Sequence, residues 1–197
     1  MIDQTNQRLD DLNIGGLRIF QDPSGFCFGT DAIALSDFVT LYPGETAIDL
    51  CTGSGILPLL LYAKTPCRNF IGIELQPAMA QMAQRSVALN GLCDVIRIIQ
   101  GDIKQITKFG LSKCHVITCN PPYLPCGSGA QNPLDTKAAA RHEIFCTIDD
   151  IAQAMSKILR HGGRYYMVHR CDRLTDVLCA LRQYHLEPKQ LCFLHSD

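Results

Sequence analysis

The chain has 197 residues, of which 47% are hydrophobic and 19% charged, and its formal net charge at neutral pH is −1. That length and balance suit one ordinary globular domain with a real core and exclude the disordered and fibrous classes. Near-neutrality also removes any global basic field for nucleic acid, so RNA binding would have to rest on a local patch.

The opening stretch, MIDQTNQRLDDLN, is polar and acidic rather than a signal peptide, and no apolar run approaches the roughly 20 residues a membrane-spanning helix needs. A cytoplasmic protein without a membrane partner is the expectation. From Leu17 the residues alternate: Leu17 and Ile19, a turn at Asp22-Pro23-Ser24-Gly25, then Phe26 and Phe28. This predicts a β-hairpin, followed by a helix capped at Thr30 or Asp31 and running through Val39.

Beyond Glu45 apolar strands alternate with helices. Strands are expected at Ala47 to Leu50, Phe70 to Glu74, Val95 to Gln100, Val116 to Cys119, Arg164 to His169 and Gln190 to His195. Helices are expected at Ile56 to Ala63, at Pro77 to about Asn90 with Met79, Met82, Ala83 and Val87 on one face and Gly91 as its stop, at Asp149 to Arg160 closed by Gly162, and at Asp172 to Tyr184. The alternation implies an α/β fold with a doubly wound, mainly parallel sheet covered on both faces. No internal repeat or low-complexity segment interrupts it. The long stretch between Tyr123 and Glu143, rich in small residues, reads as a functional loop that a substrate would order.

Eleven cysteines stand at 27, 51, 67, 93, 114, 119, 126, 146, 171, 179 and 192, an odd number with no C-x-x-C pair. Buried free thiols are therefore expected, rather than a metal site or a disulfide framework.

Three strand ends carry the chemistry. IDLCTGSG ends the first strand with Asp49 and opens a helix through Gly53 and Gly55, which allow close backbone approach to a ligand at the carboxyl edge of the sheet. Position 58 is Pro58 where a dinucleotide fingerprint wants glycine, which disfavours a nicotinamide or flavin cofactor. The second strand ends at Glu74, placed to accept hydrogen bonds from ribose hydroxyls. The third ends before Asp102, placed to accept from an adenine amino group while Ile103 covers the ring. A tight turn, a helix-terminal carboxylate and a turn Asp are the ordinary explanations of each part; together they point to an adenosine-containing ligand.

The fourth strand runs into Asn120-Pro121-Pro122-Tyr123. Here the chain resembles the Rossmann-like S-adenosylmethionine-dependent methyltransferases whose N-P-P-Y motif serves a planar exocyclic or amide nitrogen. The resemblance implies that Asn120, also placed at the cofactor, and the main-chain carbonyl of Pro121 accept the two N–H bonds of the target amine, and that Tyr123 stacks on its plane. Prolines fix the backbone, so this is preorganisation rather than acid/base catalysis. Neither His142 nor His169 is expected to be a base, because the methylated amine is acidic enough to lose its proton to water.

The motif fits adenine N6 in DNA or RNA and the glutamine amide of a protein. RIFQDPSGFCFGTDAIALSDF, ARHEIFCTIDDI, GGRYYMVHR and HLEPKQLCFLH, spanning Leu12 to His195, resemble the bacterial tRNA1(Val) adenine-37 N6-methyltransferases. The resemblance implies N6-adenine methylation of RNA, most naturally a tRNA anticodon loop, where flipping an accessible base costs only a few kcal/mol at most. It also implies a single domain, 1–197, made of a hairpin and helix over 12–45 and a Rossmann-like core over 46–197. Pro122, Tyr123 and Arg141 become candidates for the substrate, with Lys137, Arg170 and Arg173 nearby. Alternatives are a protein glutamine N5-methyltransferase, whose usual helical N-terminal domain is missing here, and a non-catalytic nucleotide- or RNA-binding module, which would not need Asn120 beside Tyr123. Two departures carry expectations. Cys51 replaces a glycine of many relatives, so positive φ is not expected there. The family's usual final antiparallel strand is not expected within these residues, so Gln190 to His195 is expected to be an unpaired edge strand that invites aggregation or pairing with another chain.

Overall fold

A computed structural model describes residues 7–23, 27–121 and 146–195. Its centre is a five-stranded, fully parallel sheet. In chain order its strands are β3 (Ala47–Leu50), β4 (Phe70–Glu74), β5 (Ile96–Gln100), β6 (Cys114–Cys119) and β7 (Leu159–Met167), and across the sheet they run β5-β4-β3-β6-β7. Order reverses between β3 and β6, which leaves a crevice at the carboxyl ends of those two strands.

The reason for this centre is plain in the residues. All four positions of β3 are buried, as are five of six in β6, so each strand needs cover on both faces. On one face, α2 (Ile56–Lys64) and α3 (Pro77–Leu89) form a core with α1 (Thr30–Phe38), in which Ile19, Leu59, Phe70 and Val116 are fully buried. On the other, a 3-10 segment (Ile103–Phe109), α4 (Ile148–Ile158) and α5 (Leu174–Gln183) enclose Ile48, Ile73, Ile117 and Met155. Helix α4 starts on a capping box: Thr147 Oγ1 accepts the Asp150 N–H at 3.1 Å, and the Asp150 carboxylate accepts the Thr147 N–H at 2.9 Å.

The N-terminal hairpin exists, but with a different partner from the one expected. Strand β2 (Arg18–Gln21) pairs antiparallel with β1 (Arg8–Asp11), not with the stretch around Phe28. The pairing follows from docking on α3. The Asn90 side chain accepts from Arg18 N at 3.0 Å and donates to Arg18 O at 2.7 Å, Ser86 Oγ accepts from Phe20 N at 3.0 Å, and the Arg85 guanidinium lies 4.2 Å from the Phe20 ring centroid. Gln21 then closes the pair by accepting the Phe28 N–H at 3.0 Å, which ends the strand.

Further boundaries differ. The strand expected from Arg164 to His169 is β7, which begins at Leu159 and ends at Met167, and the N-cap of α1 is Gly29 rather than Thr30 or Asp31. Gly162, at φ 70°, does not close α4, which stops at Ile158; it lies in β7 where the register with β6 shifts. The helix expected from Asp172 begins at Leu174, after a 3-10 turn over Cys171–Arg173. Gln190–His195 is not a strand. Leu191, Phe193 and Leu194 there are 60%, 50% and 55% exposed; among the described residues no strand pairs with the stretch, and apolar alternation alone cannot satisfy the backbone in a ladder. The ten described cysteines are free, but burial holds only in part: Cys67, Cys114, Cys119 and Cys146 are buried, whereas Cys93, Cys171, Cys179 and Cys192 are exposed. Among the described residues no cluster fit to hold a metal occurs. No described helix is long and apolar enough to cross a membrane.

Candidate active site

The crevice at the β3/β6 reversal brings Asp49, Gly53 and Asn120 of the predicted residues to one small pocket. β3 delivers Asp49, then turns through Cys51 and Thr52 into Gly53 and the αL residue Gly55, the N-cap of α2. Gly55, at φ 85°, would place a Cβ 3.3 Å from Ala83 Cβ of α3, so both its conformation and the helix approach exclude a side chain. Cys51 has φ 58°, contrary to expectation. The neighbouring hydrogen bonds over-determine it: Thr52 N donates to Ile73 O at 3.0 Å and Gly55 N to Thr52 O at 2.9 Å, holding the turn against the cost of a β-carbon there.

Glu74, at the end of β4, locks the turn from the neighbouring strand. One carboxylate oxygen accepts from Gly53 N at 2.9 Å and the other from Gln76 N at 2.8 Å. Burial raises its pKa, and those N–H donors pull it back down. Each oxygen retains a second lone pair for a ligand hydroxyl. Glu74→Gln would turn an N–H donor toward one of these backbone donors. It is expected to weaken binding of S-adenosylhomocysteine, measured calorimetrically, by at least about tenfold, corresponding to the 1–3 kcal/mol of an unsatisfied buried polar group.

Asp49 sits deeper and is 3% exposed. Its Oδ1 accepts from Thr118 Oγ1 of β6 at 2.6 Å, which ties the two strands together beneath the crevice. Its Oδ2 and Thr52 Oγ1 are both buried without a hydrogen bond within 3.5 Å, although the Thr52 hydroxyl is near enough to favour the carboxylate. Burial dominates and pushes the Asp49 acid up to about 7, with the Glu74 charge adding in the same direction. Cys51, Cys119 and Cys146 meet just behind. Contact with Cys119 holds the Cys51 thiol protonated, burial does the same for Cys119, and contact with Cys51 does so for Cys146. These thiols are packing rather than nucleophiles.

Asn120 leaves β6 half-buried and shares one small pocket with Phe28, Asp49, Thr52, Gly53 and Leu57; Pro121 is buried beside it. Asp102 lies at the same sheet edge, but Oδ1 caps the 3-10 segment by accepting Lys104 N at 2.9 Å, with Lys104 Nζ 3.6 Å from Oδ2. Ile103 points into the core at 5% exposure. Of the basic residues, Arg170 pairs with Asp172 and Arg173 with Asp176, and His169 accepts the Arg170 N–H. Pro122, Tyr123, Lys137, Arg141, His142 and the long loop lie outside the described residues. Thr118 and Phe28 were not anticipated, though a polar Thr inside the buried run of β6 is a signal that could have found the first.

Comparison with known proteins follows the same lines. No family model matches the chain. Named tRNA1(Val) (adenine(37)-N6)-methyltransferases are similar along most of it. That of Photobacterium profundum is 28% identical over 176 residues, covering 87% of this chain and 72% of that protein. Those of Bacteroides thetaiotaomicron and Shewanella sp. (strain W3-18-1) are 25% and 29% identical, covering 85% and 91% of this chain and 70% and 71% of theirs. The similarity runs along most of the chain and most of each of those methyltransferases. Its fold matches solved structures too: TrmN from Thermus thermophilus at TM-score 0.54 and 23% identity, covering 76% of this chain and 40% of that one, and a precorrin-8W decarboxylase from Methanobacterium thermoautotrophicum at 0.59 and 15%, covering 84% and 77%. These solved structures share the Rossmann-like fold of this chain, in which the switch point holds Asp49 and Asn120.

Proposed function

We propose that this chain is an S-adenosylmethionine-dependent methyltransferase that modifies N6 of an adenine in tRNA, in the anticodon loop, in a cytoplasmic setting. The observation that carries the reading is the emergence of Asn120 from β6 into the same pocket as Asp49 and Gly53, at the strand-order reversal. Its test is incubation with labelled S-adenosylmethionine and tRNA lacking adenine methylation, followed by digestion to nucleosides. Label in N6-methyladenosine is the expected result; label in protein instead would assign a glutamine amide as substrate and overturn the RNA reading.

The residues present fit the cofactor. Backbone approach at Gly53 and Gly55, the Glu74 carboxylate for ribose hydroxyls, and the buried, unpartnered Asp49 Oδ2 and Thr52 Oγ1 make a polar cradle suited to an adenosine derivative. When bound, S-adenosylmethionine supplies an electrophilic methyl on its sulfonium. The chain's own task is orientation. An aromatic amine has a delocalised lone pair, and two acceptors on its N–H bonds turn that lone pair out of the ring plane. Asn120 Oδ1 and the Pro121 carbonyl are the proposed acceptors, and the missing freedom of the proline backbone keeps them in place. Tyr123 is the proposed stacking residue, with Pro122 and Arg141 on the substrate side. Asp102 would serve the adenine while its Oδ1 caps the 3-10 segment and its Oδ2 faces Lys104 Nζ, and Ile103 would contribute from the core side.

A further inference from the structure

Asn120 is held from one side by a residue to which the proposed chemistry gives no task. Its Nδ2 donates to Asp31 Oδ2 at 3.2 Å, across 89 positions of sequence. The other Asp31 oxygen accepts the Ala32 N–H at 2.9 Å in the first turn of α1, so the carboxylate is anchored to the helix on which it stands. Gly29, the residue before α1, leaves the space it occupies: a Cβ there would lie 2.7 Å from Asp31 Oδ1.

The chemistry of this contact is one-sided. A carboxylate only accepts, so it selects the NH2 end of the Asn120 carboxamide and turns the oxygen end away. An unpinned carboxamide can rotate by half a turn at little cost, and the wrong orientation would set a donor against the N–H donors of an amine. We propose that Asp31 is a positioning residue for methyl transfer, fixing the Asn120 carboxamide so that its oxygen, rather than its NH2 group, is the end presented to the target amine. This rests on the reading of Asn120 given above. It also gives the first turn of α1 a part in the reaction, although that helix precedes the sheet and lies far in sequence from the strand that carries Asn120.

Asp31→Asn tests it with little change in size, since the new amide can donate as well as accept and so allows Asn120 both orientations. The maximal rate of methyl transfer is expected to fall by about 10- to 100-fold, a typical consequence of a misplaced acceptor, while KM for tRNA and the dissociation constant for S-adenosylhomocysteine hold. In the double variant with Asn120→Ala the rate should equal that of Asn120→Ala alone, because Asp31 acts through Asn120. The Asn120 side-chain NH2 resonances, assigned by their loss in Asn120→Ala, should shift in Asp31→Asn, a readout that needs no activity. An unchanged rate with unshifted resonances would overturn the proposal, and so would a further loss in the double variant. If Asn120→Ala itself methylates normally, the reading of the site fails and the proposal with it; if Asn120→Ala is inactive and Asp31→Asn is not, the proposal alone fails.

Discussion

Asn120→Ala should reduce single-turnover methyl transfer by about 10²- to 10³-fold, the loss expected when one preorganised polar group facing the reacting atoms is removed. The protein itself should remain folded. Asn120 is half-buried at the end of β6 rather than within the ladder, and the register of β6 with β3 ends at Cys119. Truncation leaves Asp31 anchored to Ala32 N and leaves the Asp49–Thr118 tie untouched. A melting temperature within a few degrees of the parent, together with the rate loss, would separate orientation of the substrate from stability of the site. Asn120→Asp should be at least as inactive despite its two acceptor oxygens, because a second carboxylate would then face Asp31 Oδ2 in place of a donor. Full activity in either variant would show that the amine is oriented by other groups.

Sequence patterning carried the sheet and most of the crevice because those features are local. Phe70 to Glu74 is an apolar run with a charge at its end, and it forms a strand with those bounds. Asp49, Gly53 and Glu74 follow strand ends, and parallel topology brings such ends to one edge whatever the packing details. What escaped depends on contacts distant in the chain. Arg8–Asp11 is a charged stretch with no apolar period, and it is a strand only because β2, docked on α3 through Ser86 and Asn90, offers it a partner. Gln190 to His195 is the converse case, with strand-like alternation but no partner strand among the described residues. Asp31 read as a helix-cap residue, since nothing near it in sequence indicates Asn120. Asp102 was placed at the correct edge, but its carboxylate is engaged by Lys104 N, a local bond that competes with any ligand. Cys51 shows that a position expected to avoid positive φ can be forced there by the hydrogen bonds of the residues that follow it.

Asp49 gives the second large effect, one of stability rather than rate. Its acid is raised by burial from an ordinary value of 3.8 to about 7, so through that interval the folded chain holds a proton that the unfolded chain has released. With more protons bound to the folded state, stability must fall as pH rises. The penalty is absent below about pH 4, grows through the interval, and is complete above about pH 7, where it amounts to about 4 kcal/mol at most. This is opposite in sign to a salt-bridged carboxylate, which stabilises at neutral pH. Asp49→Asn should therefore be more stable than the parent in urea denaturation at pH 8, and the advantage should shrink steadily toward pH 4. The replacement also suits the local bonding. Its oxygen can keep the Thr118 hydroxyl, and its NH2 offers a donor to Thr52 Oγ1, which has no hydrogen bond within 3.5 Å in the parent. An Asp49→Asn chain less stable than the parent at pH 8 would mean that the carboxylate is compensated in solution by donors beyond Thr118 and Thr52. A stabilised chain with weakened cofactor binding would mean that the buried acid is retained for the ligand at a cost to the fold, as strained or desolvated groups at binding sites often are.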